Sequence, residues 1–370
     1  MIKIMHIITD SNIGGAGRHL LTLLKYHDRS NFDIQVVVPR GSALVPRIQA
    51  LGIPVTELDG IAERSFSPFS IRSLKRLITA NHTDLVHTHG CVSGRIAAKL
   101  SGTKVIYTRH CVFPVKPILT RGLPKRIYGR IHTLLADGII AVADAARKNL
   151  TDCGIEEERI HVILNGVEPQ IPVCEERVLQ LKQQYSIDKD CFTAGILARL
   201  ENDKGHRCII EAAEKVKSSG RRFKLLIAGA GSQEAALREL VSEKDLEDTV
   251  IFTGFVQQVS DILSLLDVQL NASIGTEASS LSLIEGMSMG IPAIASDYGG
   301  NPQVISHCKN GYIFKQQDSD GLARCILKLM DEPETRNQMK AQALQIFAEV
   351  FDAGIFTKNT ESYYRKILEV

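Results

Sequence analysis

The segment IKIMHIITDSNIGGAGRHLLTLLKYHDRSNFDIQVVV, residues 2–38, decides the fold class. Two short apolar runs, IKIMHII and DIQVVV, flank a glycine-containing loop and an amphipathic stretch. Apolar runs that do not alternate with polar residues are typical of parallel strands buried on both faces. The segment therefore predicts a strand, a helix and a second strand parallel to the first.

The same alternation continues along the chain in two series. The further predicted strands of the first series are DLVHTH, KVIYTRH and GIIAVA, and those of the second are FTAGILARL, KLLIAG, VIFTG, VQLNAS, IPAIAS and GYIF. Repeated strand–helix alternation predicts α/β structure with a doubly wound sheet in each of two domains. A loop-like segment with two prolines, residues 165–177, separates the series, so we expect domains of residues 1–170 and 171–352.

Composition and cysteine usage narrow the class of protein. The chain has 370 residues, of which 44% are hydrophobic and 23% charged, which is typical of a soluble globular protein with two domains. No apolar run approaches the ~20 residues that would cross a bilayer. The eight cysteines are scattered without a C-x-x-C pair, which favours reduced thiols and a cytoplasmic location.

Charge is unevenly distributed along the chain. Residues 1–170 contain 22 Lys+Arg and 14 Asp+Glu, whereas residues 171–370 contain 22 and 28, so the two parts carry +8 and −6. A basic first half suits an anionic substrate or an anionic membrane surface. The sequence has no aromatic-rich basic motif and no zinc-finger spacing, so we expect no nucleic-acid partner.

Two glutamates bracket a predicted change of backbone structure in TEASSLSLIEGMSMG, residues 276–290. A helix is predicted to begin near residues 280–282 and to end at Gly290, because the following Ile-Pro pair does not continue it. Glu277 then lies in the preceding loop and Glu285 in the first turns of the helix. Both carboxylates could therefore face one ligand.

The start of this helix is a predicted anion site. The N–H groups near Leu281 and Ser282 have no partner within the helix, so a phosphate could rest on them. Two alternatives remain open. Ser282 and Glu285 also match the S-x-x-E capping box, and Glu277 could be a solvated loop acid.

Two other stretches place candidate ligand-binding residues after predicted strands. GILARLENDKGH carries Arg199 and Lys204, whose charges suit a diphosphate, although both could be ordinary surface bases. SNIGGAGRHLL opens a helix with glycines, among them Gly15, that allow a phosphate or sugar to approach the backbone. The dinucleotide fingerprint G-x-G-x-x-G is incomplete, because its third glycine falls on Leu20.

Histidines also follow predicted strands. His110 in VIYTRHCVFP is a candidate proton-bearing or sugar-binding group, or else a structural histidine. His87 and His89 in VHTHG could form a metal pair, but the sequence offers no evident third ligand. The two Asp-x-Asp triplets lie in a polar turn, residues 188–190, and at a predicted helix start, residues 318–320. We therefore expect no metal site.

Taken together and in order, these motifs resemble those of the family 4 retaining glycosyltransferases, which have the GT-B fold of two Rossmann-like domains. GGAG resembles the amino-terminal glycine loop, HTHG and TRH the histidines of the first domain, and ILNGV the entry to the second. ARLENDKG resembles the Arg…Lys-Gly phosphate clamp and AGAGS a second glycine turn. Glu277…Glu285 resembles the E-x7-E pair, and YGGNPQVI…NGYIF the segment after it, so the similarity spans nearly the whole chain.

The resemblance implies a role for each matched residue. Glu277 and His110 would contact the donor sugar, and Glu285 would bind the ribose of the nucleotide. Arg199 and Lys204 would bind the diphosphate and stabilise its charge as it leaves. Further donor contacts would come from Gly15, from Val256 near the base, and from the amides of Leu281 and Ser282.

The implied reaction moves a sugar from a UDP- or GDP-linked donor to a glycan, lipid-linked or cell-envelope acceptor, with retained anomeric configuration. The family is normally metal-independent, so no cofactor or metal is expected. The final helix, residues 353–370, would cross back to the first domain. Ala278 and Ser280 stand where many members have glycines, and Gly17 and Gln303 where many have glutamate, which bears on the sugar and acceptor pockets.

Three other functions compete with this one. A nucleotide-sugar epimerase of the same shape would turn over the donor without an acceptor. A nicotinamide dehydrogenase is disfavoured by the incomplete fingerprint. A non-catalytic subunit would bind the donor without turnover, which the retained charged residues disfavour.

A basic segment after His110 suggests where the acceptor is met. Residues 113–135, FPVKPILTRGLPKRIYGRIHTLL, contain no acid and five bases: Lys116, Arg121, Lys125, Arg126 and Arg130. Apolar residues recur within it at helical spacing, namely Ile127, Ile131, Leu134 and Leu135, so an amphipathic helix is predicted. We hypothesise that this helix docks on the inner face of the cytoplasmic membrane. The alternative is an ordinary solvated helix.

Overall fold

The computed structural model describes residues 1–61 and 66–370. The chain divides into two compact units, Met1–Val167 together with Val350–Val370, and Glu168–Glu349. Each unit is built on one parallel sheet with helices in its crossover connections. The predicted fold class, α/β structure with two Rossmann-like units, is therefore confirmed.

The first unit contains a seven-stranded sheet. Its strands are β1 (Ile2–Ile8), β2 (Phe32–Pro39), β3 (Val55–Leu58), β4 (Leu85–His89), β5 (Lys104–Arg109), β6 (Gly138–Ala141) and β7 (Ile160–Val162). Its helices are α1 (Gly15–Tyr26), α2 (Val45–Ala50), α3 (Pro68–Ala80), α4 (Val92–Leu100), α5 (Gly122–Leu134) and α6 (Asp144–Asp152). The strand order is β3-β2-β1-β4-β5-β6-β7, so β1 and β4 lie side by side in the middle of the sheet.

The second unit contains a six-stranded sheet. Its strands are β8 (Phe192–Leu197), β9 (Phe223–Ala228), β10 (Val250–Gly254), β11 (Val268–Asn271), β12 (Ala293–Ser296) and β13 (Gly311–Phe314). Its helices are α7 (Glu175–Gln184), α8 (His206–Ser218), α9 (Glu234–Glu243), α10 (Val259–Leu263), α11 (Leu281–Ser288), α12 (Asn301–Val304), α13 (Ser319–Asp331) and α14 (Pro333–Ile346). The strand order β10-β9-β8-β11-β12-β13 places β8 beside β11.

The last helix, α15 (Ala353–Leu368), belongs to the first unit. It packs beside α1, and its Phe356 and Tyr364 lie in the same apolar core as Ile4 of β1. Met5, the next residue of β1, lies in a second core on the opposite face of the sheet. Both faces of the central strands are thus covered, which explains why their sequences do not alternate.

Two strands of the first sheet, β3 and β7, were not predicted from the sequence. They are the outermost strands, and each is only partly buried. β3 is VTEL, with two polar residues, and β7 has only three residues, so neither contains the unbroken apolar run that predicts a buried strand. In both sheets the chain leaves the central strand pair in opposite directions, which is where ligands of such folds bind, at the carboxyl ends of the strands.

Candidate functional site

Two charged residues meet at the carboxyl ends of β8 and β11. Lys204 lies in the loop after β8 and Glu277 in the loop after β11. The Lys204 Nζ donates to Oε2 of Glu277 at 2.9 Å, and the two side chains are 15% and 11% exposed. The structure thus pairs two residues that the sequence separates widely. Arg199, on the same loop as Lys204, is exposed.

Close backbone contacts hold these two loops. Gly205 follows Lys204 with φ +69°, and a Cβ there would lie 2.0 Å from the carbonyl oxygen of Ala272. Gly299 has φ +58°, and its Cβ would lie 1.8 Å from the carbonyl oxygen of Glu277. Neither position tolerates a side chain, so the glycines fix where the lysine and the glutamate stand.

The residue before Glu277 adopts a rare backbone conformation. Thr276 has φ +58°, which is unusual for a β-branched residue. Its hydroxyl donates to Oδ2 of Asp203 at 2.6 Å, which ties the two loops together a second time. Such strain persists only where the surroundings enforce it and is concentrated at functional sites.

A buried polar network supports the loop that carries Glu277. The Asn271 amide donates to Oγ of Ser280 at 3.0 Å, and its Oδ1 accepts from the Ser273 N–H at 2.9 Å. Asn301 donates to Asn271 and to Ser296, whose hydroxyl donates to the carbonyl of Ser273. These buried hydrogen bonds favour one conformation of the loop that carries Glu277.

Helix α11 differs in detail from the prediction. Its N-cap is Ser280, whose Oγ accepts from the Leu283 N–H, and it ends at Ser288 rather than at Gly290. The capping-box alternative for Ser282 and Glu285 is therefore wrong, because the residue three positions after the cap is Leu283. Glu285 lies deeper in the helix and is 2% exposed. A carboxylate held at that depth is unsuited to a mere surface role.

The remaining predicted residue of this unit lies further away in the sheet. Val256 follows β10, an edge strand, and packs against the apolar cluster that includes Leu226 and Ile262. Leu281 and Ser282 open α11, directly after the loop of Glu277. Lys204 and Glu277 are in contact, Arg199 lies on the loop of Lys204, and α11 with Glu285 begins four residues after Glu277. We call these four residues and the start of α11 the charged site of the second unit.

The first unit carries a different candidate site, which is made of histidines. His110 follows β5 and is half-buried, while His6, His19, His87 and His89 are buried. The β1–β4 register places His6 opposite His87. Gly15 opens α1 and is exposed, and apart from the adjoining backbone no atom of residues 1–61 and 66–370 lies within 4 Å of the place that a Cβ would occupy. The backbone at Gly15 is therefore open to a ligand.

Burial keeps these histidines uncharged. It lowers the pKa of His6 to about 3 and that of His19 to about 4. Burial also moves the pKa of His87, His89 and His110 well below the usual value. Neutral imidazoles each have one donor and one acceptor nitrogen, so this site can bind a sugar hydroxyl but cannot neutralise a phosphate.

The predicted metal pair, His87 and His89, does gain a third histidine in space. The nitrogens of His6, His87 and His89 lie within 4.8 Å of one another, as do those of His19, His89 and His110. His87, however, already has hydroxyl partners on both nitrogens, with Tyr364 at Nδ1 and Thr108 at Nε2, each at 2.6 Å. Its geometry is that of a structural histidine.

The basic segment forms the predicted amphipathic helix, α5, with little of it covered. Within α5 the structure buries only Gly129, whereas Leu123, Ile127, Ile131 and Leu134 are each about half or more exposed. Arg121, Arg126 and Arg130 are exposed beside them. In residues 1–61 and 66–370, no helix has both the length and the apolar character required to span a membrane.

Two family models match most of the chain. The protein-family model described as "Glycosyltransferase Family 4" matches residues 13–171. A second family model, described as "Glycosyl transferases group 1", matches residues 179–345. Together they account for both units. The chain belongs to glycosyltransferase family 4. It is accordingly a glycosyltransferase with the GT-B fold.

Relatives of this glycosyltransferase cover most of its length. The putative glycosyltransferase EpsD of Bacillus subtilis is 28% identical over 85% of this chain and 84% of its own. The amylovoran biosynthesis glycosyltransferase AmsK of Erwinia amylovora is 27% identical over 69% of this chain and 64% of its own. The structure of Anabaena HepE in complex with UDP covers 99% of this chain and 100% of its own, with 20% identity and a TM-score of 0.86.

Several residues that shape the two sites of this glycosyltransferase were missed from sequence. Asp203 anchors Thr276, and Asn271 and Asn301 anchor the loop of Glu277. His6 and His19 complete the histidine cluster. A signal existed for His6, because a histidine inside the apolar run IKIMHII needs a buried partner.

Proposed function

We propose that this glycosyltransferase is a retaining hexosyltransferase that takes its sugar from a UDP- or GDP-linked donor. The Lys204–Glu277 pair carries this proposal, because it sets a cation and a carboxylate side by side at the carboxyl ends of β8 and β11. A nucleotide-diphosphate sugar presents a diphosphate and sugar hydroxyls as neighbours. The exposed Arg199 supplies the second cation that a diphosphate requires.

The proposed chemistry rests on stabilising the leaving group. The bond between the anomeric carbon and the donor diphosphate breaks, and a bond from the acceptor oxygen to that carbon forms on the same face. The leaving phosphate oxygen takes the proton of the acceptor hydroxyl. Arg199, Lys204 and the N–H groups at the start of α11 stabilise the charge that develops on the diphosphate.

The two glutamates have separate tasks in this proposal. Glu277 accepts hydrogen bonds from Lys204 and Ser273 through Oε2, which orients its carboxylate towards the sugar hydroxyls. Glu285, four residues further into α11 than Leu281, binds the ribose hydroxyls. In the same proposal, His110 and the backbone at Gly15 bind sugar hydroxyls, and Val256 contacts the base.

Ligand-induced stabilisation tests the donor class. A ligand at about 100 times its dissociation constant adds roughly 2.7 kcal/mol to the free energy of unfolding, which a thermal-shift assay detects. We expect UDP- or GDP-sugars to raise the melting temperature and NAD(H) to leave it unchanged. HepE binds UDP, which supports uridine nucleotides as the first to test. Stabilisation by NAD(H) alone would overturn the proposal.

The proposed reaction needs no metal. Its charge stabilisation comes from side chains and a helix terminus, so we expect turnover of the identified donor to survive EDTA. Strict dependence on a divalent ion would contradict this. Turnover of the donor without any acceptor would instead indicate an epimerase.

We further propose that the acceptor is a glycan, lipid-linked or cell-envelope precursor met at the cytoplasmic face of an anionic membrane. The exposed apolar and basic residues of α5 support this. Each base near an anionic leaflet contributes about 1 kcal/mol, which is sufficient for reversible attachment. We expect co-sedimentation with anionic but not neutral vesicles, weakened by salt and by Arg126→Glu. Equal binding to both lipids, or to neither, would exclude the membrane.

A further inference from the structure

Three histidines of the first unit form a hydrogen-bonded chain. Nδ1 of His6 lies 3.1 Å from Nε2 of His89, and Nδ1 of His89 lies 2.9 Å from Nε2 of His110. The residues come from the neighbouring strands β1 and β4 and from the end of β5. The chain therefore runs from a fully buried ring, His6, to the half-buried His110 at the carboxyl end of β5.

A chain of neutral imidazoles has only two arrangements of its protons. Burial places the pKa of all three rings far below neutrality, so each ring carries one N–H and one lone pair. In one arrangement each proton is on Nδ1, so that His6 donates to His89 and His89 donates to His110. In the other each proton is on Nε2, so that His110 donates to His89 and His89 donates to His6. The buried end of the chain decides between these two arrangements.

Nε2 of His6 is that buried end. It is inaccessible and has no hydrogen-bond partner within residues 1–61 and 66–370. A buried N–H without an acceptor is rarer in proteins than an acceptor with an unused lone pair. The proton of His6 therefore belongs on Nδ1, and the same tautomer follows at His89 and then at His110.

We propose that His6 and His89 are positioning residues that fix His110 as the Nδ1–H tautomer, so that His110 offers a hydrogen-bond donor to the donor sugar. This inference rests on the proposed function, in which His110 contacts that sugar. His6 and His89 act only through His110. A donor at this position orients a sugar hydroxyl through one of its lone pairs.

Packing also fixes the ring planes of the chain. The His89 ring stacks on the rings of His87 and His110, with distances between ring centroids of 4.4 Å and 5.1 Å. The edge of His19 meets His110 at 4.6 Å, and Nδ1 of His19 donates to Oδ1 of Asn165 at 2.8 Å. His19 is thus held in the same Nδ1–H tautomer by an acceptor, independently of the chain. Rings held in this way cannot turn over to exchange their donor and acceptor atoms.

Nitrogen NMR of the full chain labelled with 15N-histidine measures the tautomers directly. Long-range 1H–15N spectra distinguish the protonated from the bare nitrogen of each ring, and single substitutions assign the signals. We expect Nδ1–H at His6, His89 and His110 in the protein without substrate. An Nε2–H tautomer at His89 or His110 would overturn the inference, as would stoichiometric zinc in elemental analysis, since the rings would then be ligands.

Kinetics of matched variants tests the consequence for turnover. His6→Leu removes the donor that fixes His89, so we expect a mixture of His110 tautomers and a kcat lowered by about tenfold with little change in KM. His6→Asn, whose amide can donate from near the Nδ1 position, should restore most of the Nδ1–H tautomer of His110 and most of the kcat. In the background of His110→Ala, His6→Leu should have no further effect on kcat, because interacting residues are not additive.

His87→Leu is the matched control, because His87 is equally buried in the same cluster but its nitrogens bond to the hydroxyls of Tyr364 and Thr108 and not to His6, His89 or His110. It should reduce stability to a similar extent and leave the His110 tautomer unchanged. Equal losses of kcat in His6→Leu and His87→Leu, with His110 unchanged in both, would show that His6 is only structural. Should His6→Leu fail to fold, the tautomers of the unsubstituted protein still decide the question. The tautomers can be measured whether or not the protein turns over a nucleotide sugar. Failure of the proposed function can therefore be distinguished from failure of this inference.

Discussion

The histidine cluster of the first unit and the charged site of the second occupy corresponding places in two sheets with the same strand order. In the first, β1 and β4 meet at the centre, and the polar groups are imidazoles that bond to one another and to hydroxyls. In the second, β8 and β11 meet at the centre, and the polar groups are the Lys204–Glu277 pair with Arg199 nearby.

The difference shows that topology selects the place of a site and burial selects its chemistry. A histidine gives up its charge when it is buried, so the first unit can enclose its histidines completely. Lysine and arginine keep their charge, and they need a partner or solvent contact. A neutral cluster suits sugar hydroxyls, whereas the charged site suits a diphosphate. Four predictions test this difference between the histidine cluster and the charged site.

The largest expected effect is acid instability of the first unit. Its histidines are kept neutral in the folded state but have a pKa near 6.5 when unfolded, so the unfolded chain binds more protons below that pH. Their stabilising contribution is complete above about pH 6.5 and is lost as the pH falls. Each of His6, His19, His87, His89 and His110 should cost up to about 2 kcal/mol of unfolding free energy by about pH 5.

Chemical denaturation between about pH 7.5 and 5 measures this slope. His87→Leu should remove close to one proton from the uptake on unfolding. Hydrogen exchange should show β1, β4 and β5 losing protection at a higher pH than β8 and β11, because the second unit offers fewer such groups, His206 being one whose burial lowers its pKa to about 4. Earlier loss of β8 and β11 would contradict the comparison.

The next effect in size concerns the cations of the charged site. Arg199→Ala and Lys204→Ala should each lower kcat by about 10²–10³, as expected for the loss of a preorganised group that stabilises transition-state charge. Lys215→Ala is the matched control, because Lys215 pairs with Asp320 on the surface of the same unit. It should leave kcat unchanged.

Lys204→Ala also strands the carboxylate of Glu277, which is 11% exposed. The double variant Lys204→Ala/Glu277→Gln separates the two causes, since glutamine needs no cation. If the double variant regains turnover, the Lys204–Glu277 pair has only a structural role. The charged site would then not be the diphosphate site.

The sequence predicted the central strands of both sheets because burial on both faces leaves an unbroken apolar run. IKIMHII and FTAGILARL are such runs, and both lie at the centre of their sheets. The edge strands β3 and β7 were not predicted, because VTEL contains two polar residues and IHV is only three residues long. The edge strands β10 and β13 were predicted from the more apolar VIFTG and GYIF. Helix α11 begins within the predicted residues 280–282 and ends two residues before the predicted Gly290. The alternative capping box placed the cap at Ser282, because Ser280 and Ser282 both fit the preference for serine at the N-cap.

The sequence provided candidate site residues but not the contacts between them. Arg199, Lys204, Glu277 and Glu285 drew attention because each lies just after a strand or at a helix start. The bond between Lys204 and Glu277 depends on β8 and β11 being neighbours, and no local pattern states that. The chain His6–His89–His110 likewise depends on strand register, which is a long-range property.

A smaller effect should follow from Glu285→Gln. Loss of a charged hydrogen bond to the ribose should weaken donor binding by roughly 1.5–3 kcal/mol, or about 10- to 100-fold in Kd. Glutamine keeps the shape of this buried side chain, so folding should persist. Isothermal titration with the donor identified above measures Kd, with Glu234→Gln on the surface of α9 as the control. An unchanged Kd with a lowered melting temperature would make Glu285 a structural residue.

The smallest effect separates the two serines at the start of α11. Ser280 Oγ accepts from the Leu283 N–H and from the Asn271 amide, so Ser280→Ala removes a cap and leaves a buried amide without its acceptor. We expect it to lower the free energy of unfolding by about 1 kcal/mol. Ser282 is not the cap, so Ser282→Ala should change stability by less than about 0.5 kcal/mol. Urea denaturation of both variants measures the difference. The reverse order would restore the capping box of Ser282 and Glu285, and Glu285 would then be a stabilising residue of the helix rather than part of the charged site.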